Sequence, residues 1–234
     1  TRDYMLKQVD FDGVNDYINC GASNAIASGT NITLACWFKS ADTDDSKLMQ
    51  LKRTSSGSNL SLDVNVGGSA GHVGAVLRHS SGGNTTVSAD GSVDDGAWHH
   101  LAISTTSSAQ VLYLDGVSIA TGTVAFVDLF STDSFTIGGV DGSGYSFGGA
   151  IAGVAVYSET KDADFIYAQY AKGLFADWSA DTNLSGYWKM GNGTGDEYPT
   201  IVDQSSNSNN GTITNGASDD IVENMVAGYD LGSY

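Results

Sequence analysis

Apolar and polar residues alternate one by one along much of this chain. Leu60, Leu62, Val64 and Val66 fall on one side, with Ser61, Asp63 and Asn65 between them on the other. A period of two is that of a half-buried β-strand. Ile32, Leu34, Cys36 and Phe38 repeat it against Thr33, Ala35, Trp37 and Lys39, and Val73, Ala75 and Leu77 repeat it against Val76 and Arg78. The runs Trp98–Thr105 and Ile151–Tyr157 are apolar on both sides. They are predicted to be central strands, or strands beneath a covering loop.

Turn chemistry separates these runs. Asp115-Gly116 between Val111–Leu114 and Val117–Ala120 is a hairpin signal, and Asp12-Gly13, Asp90-Gly91, Asp95-Gly96 and Asp141-Gly142 mark further turns. Of 27 acids only Glu159, Glu197 and Glu223 are glutamates, and the 30 glycines stand against one proline. Asp, Asn, Ser, Thr and Gly favour turns and strand edges over helices. The expected fold is all-β: an antiparallel two-sheet jelly-roll sandwich of about a dozen short strands. One short helix is predicted, started by Asp162 and Asp164 and stopped by Gly173, packing on the sandwich edge.

A formal charge of −17 from 27 acids and 10 bases argues against nucleic acid or an anionic membrane as partner. No apolar run approaches the ~20 residues of a membrane span. Two cysteines make neither a disulfide framework nor a four-cysteine zinc site. Cys20 and Cys36 both fall at inward strand positions, read as buried thiols, with their pairing left open.

Val9–Ile18 (VDFDGVNDYI), Thr33–Lys39 (TLACWFK), Gly96–Ile103 (GAWHHLAI), Val111–Ala120 (VLYLDGVSIA), Thr136–Gly139 (TIGG) and Gly149–Tyr157 (GAIAGVAVY) resemble, in order, the laminin-G-like, concanavalin A-like lectin/glucanase family. The resemblance implies a jelly roll over residues 1–175. The segment Gly186–Met190 (GYWKM) with Asp203–Thr212 resembles a leader that usually precedes the FDG strand of this family. Here it follows the helix. Residues 176–216 either complete the same sandwich in permuted order or are the remnant of a following repeat. The first is preferred, because Tyr187 and Trp188 would otherwise be exposed. Residues 217–234 carry four acids and no base, and are read as an acidic tail or arm. This layout is also similar to laminin-G-like proteins of tailed-phage virions.

Candidate chemistry is sparse. The ExDxxE arrangement implied by glucanase relatives is absent, and Glu159, Asp162 and Asp164 read as helix-capping groups, so no catalytic residue is assigned. His99 and His100 are adjacent on a strand, point to opposite faces and cannot share an ion; packing is their expected role. The loop from Asp203 offers oxygen ligands for calcium at Asp203, Asn207 and Asn209. However, the acids that relatives often carry on the strand before the helix are replaced by Ala150-Ile151-Ala152-Gly153, so the loop could equally close as Asx turns without metal. No other cofactor is implied. For carbohydrate, Tyr145 and Asp141 in the loop Asp141–Phe147 are the candidates.

The expected function is a non-catalytic structural or attachment protein of a phage virion (decoration, head fibre or tail appendage). Its partners would be other virion proteins or copies of itself, such as a trimer, through arms at Thr1 and Tyr4 or at Asp219 and Tyr234. The alternatives are an extracellular carbohydrate-binding module, with host surface glycan as partner, and, further off, a glycoside hydrolase.

Overall fold

The Asp115-Gly116 turn shows how local chemistry sets the framework. Asp115 has φ 49° and Gly116 φ 78°, the left-handed pair that matches the twist of a two-residue hairpin. It joins β9 (Ala109–Leu114) to β10 (Val117–Thr123) in antiparallel register. The computed structural model describes residues 5–21, 29–53, 57–78, 83–123, 134–140 and 144–225.

Two antiparallel sheets result. In spatial order the first holds β10, β9, β8 (Trp98–Thr105), β3 (Ile32–Lys39), β12 (Gly148–Tyr157), β1 (Met5–Asp12) and β16 (Ile221–Met225). The end of β12 also pairs with β13 (Leu184–Trp188), so β12 serves β1 with its first half and β13 with its second. The second sheet runs β14 (Thr200–Ile201), β15 (Gly211–Thr214), β2 (Tyr17–Asn19), β11 (Ser134–Ile137), β4 (Ser46–Lys52), β5 (Asn59–Val64), β6 (His72–Arg78) and β7 (Asn84–Asp90). Over the described residues the chain is mostly β, a two-sheet sandwich with one short α-helix, as its alternation predicts.

Inward positions of both sheets form one core. Leu34, Cys36, Phe38, Leu101, Ile103 and Ile151 meet Leu51, Leu60, Leu62, Val73, Ala75 and Phe135. Cys20 and Cys36 are buried free thiols. Burial pushes the Cys36 thiol up, keeping it protonated.

The first sheet has a covered outer face as well. Small residues there (Ala35, Ala102, Ala152 and Ala155) leave room for α1 (Ala163–Lys172) and for the segment after it, around Trp178. This accounts for the two strands that are apolar on both sides. It also corrects the expected place of the helix, which lies over the broad face rather than the edge. Its ends are where the sequence puts them: the Asp162 carboxylate accepts from the Phe165 N–H at 2.9 Å, and Gly173 follows with φ 88°.

Residues after the helix supply strands to both sheets. β13 joins the first, and β14 and β15 join the second beside β2. Tyr187 and Trp188 are buried. The acidic segment read as an arm differs from that reading over 221–225. These residues form β16, paired from Met5↔Met225 to Val9↔Ile221, and only the part beyond 225 lies outside the described residues.

Candidate functional site

The outward side of the second sheet carries an unusual row. On β11, β4 and β5, Thr136 lies opposite Gln50, and Gln50 opposite Ser61. Their neighbours in sequence (Phe135, Ile137, Met49, Leu51, Leu60 and Leu62) fill the core, so these three point away from it. They are nonetheless buried, as is Asp63. Ser61, Asp63 and Asn65 are therefore not the solvent face that alternation implies. The strand β5 is buried on both sides, and the residues on its outer side are polar. Val66 differs too, lying in a 3-10 turn beyond the strand.

Tyr145 lies beside Lys47 on β4. Its carbonyl accepts from the Lys47 N–H at 3.2 Å, and its ring centroid is 4.6 Å from the Lys47 ammonium, a cation–π contact. The same ammonium lies 2.8 Å from Asp63 Oδ2 and 3.4 Å from Ser61 Oγ. The ring stays 40% exposed. Burial raises the Asp63 carboxyl above its ordinary value, and Lys47 offsets this only in part. Asp63 Oδ1 and Thr136 Oγ1 are buried with no hydrogen-bond partner among the described residues. Buried polar atoms normally find one.

Tyr145 is thus brought together with Lys47, and through it with Ser61 and Asp63, groups the sequence reading did not single out; Gln50 and Thr136 continue the same polar row across β4 and β11. The signal was the run of polar outward positions on β4, β5 and β11. Alternation tells which side a residue faces, not whether that side is open. Asp141, Thr1, Tyr4 and Tyr234 lie outside the described residues. Asp219 is exposed in a 3-10 turn, Ser218–Asp220, before β16.

The Asp203 loop is organised otherwise. Asp203 Oδ1 accepts from the N–H groups of Tyr187 and Ser205, and Oδ2 from the Ser205 hydroxyl and the Asn209 N–H, all within 2.8–2.9 Å. The Asn207 and Asn209 amides both donate to the Ser185 carbonyl. Donors, not oxygens, converge on the carboxylate. This set does not fit calcium; it is a cluster of Asx turns that fastens the loop to β13. No group of three or more His, Cys, Asp or Glu among the described residues is placed to hold a metal.

The histidines divide as their opposite faces require. His99 bridges Asp115 at 2.9 Å and Asp95 at 3.3 Å, and Asp115 raises its pKa above the usual value. His100 is enclosed by Trp37, Tyr170 and Trp178, with ring centroids 5.3, 6.4 and 5.9 Å away. Burial pushes it down to about 4. Near the helix, Glu159 pairs with Lys161 and accepts from Asn183, while Asp162 is the cap.

Two layered antiparallel sheets with a short helix over one face make a lectin-like fold. A family model described as the Concanavalin A-like lectin/glucanases superfamily matches residues 12–167, and the chain belongs to that laminin-G-type family. A candidate carbohydrate-binding protein from Bacteroides ovatus ATCC 8483 has a similar structure over 96% of this chain, at 18% identity and a TM-score of 0.68. This chain spans 61% of that protein's length. The native heptameric SAP-like pentraxin of Limulus polyphemus matches 74% of this chain and 86% of its own, at 14% identity and a TM-score of 0.57. The CBM40 of Ruminococcus gnavus IT-sialidase, bound to alpha2,3 sialyllactose, matches 71% and 98%, at 17% identity and a TM-score of 0.55. At such identities the likeness shows the fold alone. No curated protein sequence matches.

Proposed function

We propose that this chain is a non-catalytic carbohydrate-binding module that receives a glycan on the outward side of its second sheet. The observation carrying the reading is the polar row Thr136–Gln50–Ser61 on the outward side of the sheet, with the exposed ring of Tyr145 joined to it through Lys47. Sugars present hydroxyls to amide and hydroxyl groups and C–H faces to aromatic rings, which is what this arrangement offers. The carbohydrate-binding descriptions of the Bacteroides and Ruminococcus proteins support it. Between the expectations drawn from the sequence, they favour the carbohydrate-binding alternative over the virion role.

A glycan array followed by calorimetry tests this. Tyr145→Ala and Gln50→Ala should each weaken the best ligand about tenfold, the cost of one good contact, and Tyr145→Ala, at an exposed ring, should leave the melting temperature unchanged. Chelator should leave binding intact, since Asp203 is committed to N–H donors. Absence of binding to any glycan, or binding indifferent to both substitutions, overturns the reading.

A further inference from the structure

Basic residues cluster on this face of a strongly acidic chain. Three of the 10 bases, Lys47, Lys52 and Arg78, stand at outward positions of β4 and β6. Lys47 is held by Asp63. Neither Lys52 nor Arg78 has an acidic partner among the described residues; the same holds for Lys39 and Lys172, which stand apart on other elements, whereas Lys7, Lys161 and Lys189 each have one. In a chain of 27 acids and net charge −17, leaving two cations on one face without a counter-charge is unexpected by composition alone.

Their register makes them a pair. Lys52 lies opposite Asn59, and Asn59 opposite Arg78. The two cations therefore flank a single strand, with Cα atoms about 9.5 Å apart and an amide between them. All three project to the same side as Gln50 and Ser61, being two residues further along their strands. Lys52 and Asn59 are half-buried and Arg78 is exposed, so the cationic end is open to a ligand. It lies about 13 Å from the Lys47–Asp63 pair, four residues away along β5. This side of the sheet thus has an aromatic end and a cationic end, joined by the buried hydroxyls and amides.

We propose that the glycan is anionic: a saccharide whose carboxylate or sulfate group is received between Lys52 and Arg78, with Asn59 donating its amide to the same group. This rests on the glycan-binding reading above and names the ligand class of that site. The long-range field of a −17 chain repels such a ligand. At physiological salt that field is screened beyond about 8 Å, whereas a cation in direct contact is screened far less. A fork of two guanidinium nitrogens beside an ammonium is the donor set that planar or tetrahedral oxyanions use.

Calorimetry of the full chain with three matched oligosaccharides tests the idea: a neutral galactan, an oligogalacturonate and a sulfated galactan. One or both acidic forms should bind about tenfold or more tightly than the neutral one, the scale of one or two charge-assisted hydrogen bonds. Raising the salt should erode that preference. The double variant Lys52→Gln/Arg78→Gln should abolish the preference while keeping the neutral affinity and the melting temperature. Arg78→Lys should retain most of it. The two acidic arms distinguish carboxylate from sulfate. Equal binding of all three, or a preference that survives the double variant, overturns the anionic assignment and leaves glycan binding standing. Failure to bind any of the three, and any glycan on the array, removes both.

Discussion

Burial holds His100 neutral, with its pKa near 4, while hydrogen bonding to Asp115 raises that of His99 one residue earlier. In the unfolded chain both would titrate near 6.5. Between pH 6.5 and 4 the unfolded chain therefore takes up a proton at His100 that the folded one refuses. Stability falls across that window by about 3 kcal/mol. His99 has the opposite sign: its contribution is complete below pH 6.5 and is lost as pH rises through its raised folded value. Denaturant unfolding should show a shallower acid decline in His100→Phe than in the parent chain. At pH 7 the variant should be no less stable, since the His100 ring nitrogens have no partner among the described residues. Parallel acid limbs in the two proteins would refute the assignment. Gly138 makes a different kind of demand. It has φ 79°, and a Cβ there would sit 2.1 Å from the Phe11 ring, so Gly138→Ala should cost about 2 kcal/mol or more by thermal unfolding. That His99 and His100 face opposite ways is legible in the sequence, because adjacent strand residues must. That one meets carboxylates and the other meets Trp37 and Trp178 is not, since those partners come from β3, a hairpin turn and a loop far along the chain.

At the level of elements, α1 was readable at both ends and misread in its resting place. Asp162 and Gly173 are local signals, and local signals report where a helix starts and stops. Where it docks depends on the side-chain size of another element, here the alanines on β3, β8 and β12 that make the outer face of the first sheet shallow. Asp162→Ala should cost about 1 kcal/mol, the usual loss on removing an N-cap. Trp178→Ala should cost about 3–5 kcal/mol, because Trp178 stacks on Tyr187 at 5.6 Å and closes the chamber around His100. Near-ultraviolet circular dichroism with chemical denaturation would measure both; a small loss at Trp178 would mean that the covering segment is loosely held. The same distinction applies to the candidate site. The outward direction of Gln50, Ser61 and Asp63 follows from period two, but their burial depends on what crosses the face. β14, two residues long, carries no pattern at all.

For the molecule as a whole, the sandwich cannot be divided at the end of the helix. β13 lies against β12 in one sheet, and β14 and β15 extend the other beyond β2. A chain ending at residue 175 should therefore lose cooperative unfolding and the dispersed amide spectrum of the full chain. A sharp transition in that fragment would show that the later strands are decoration. That strands follow the helix was legible in the GYWKM run, because a local motif keeps its place in sequence; that they join both sheets was not. The last strand was not visible, because an acidic segment resembles an arm whether or not a neighbour pairs with it. That pairing has a practical side. Met5 and Met225 are ladder partners, so the two ends of the described chain emerge next to each other, about 5 Å apart. A body whose ends meet in this way can be spliced into a surface loop of another protein without prising that loop open, or reconnected by a short linker and cut at another turn.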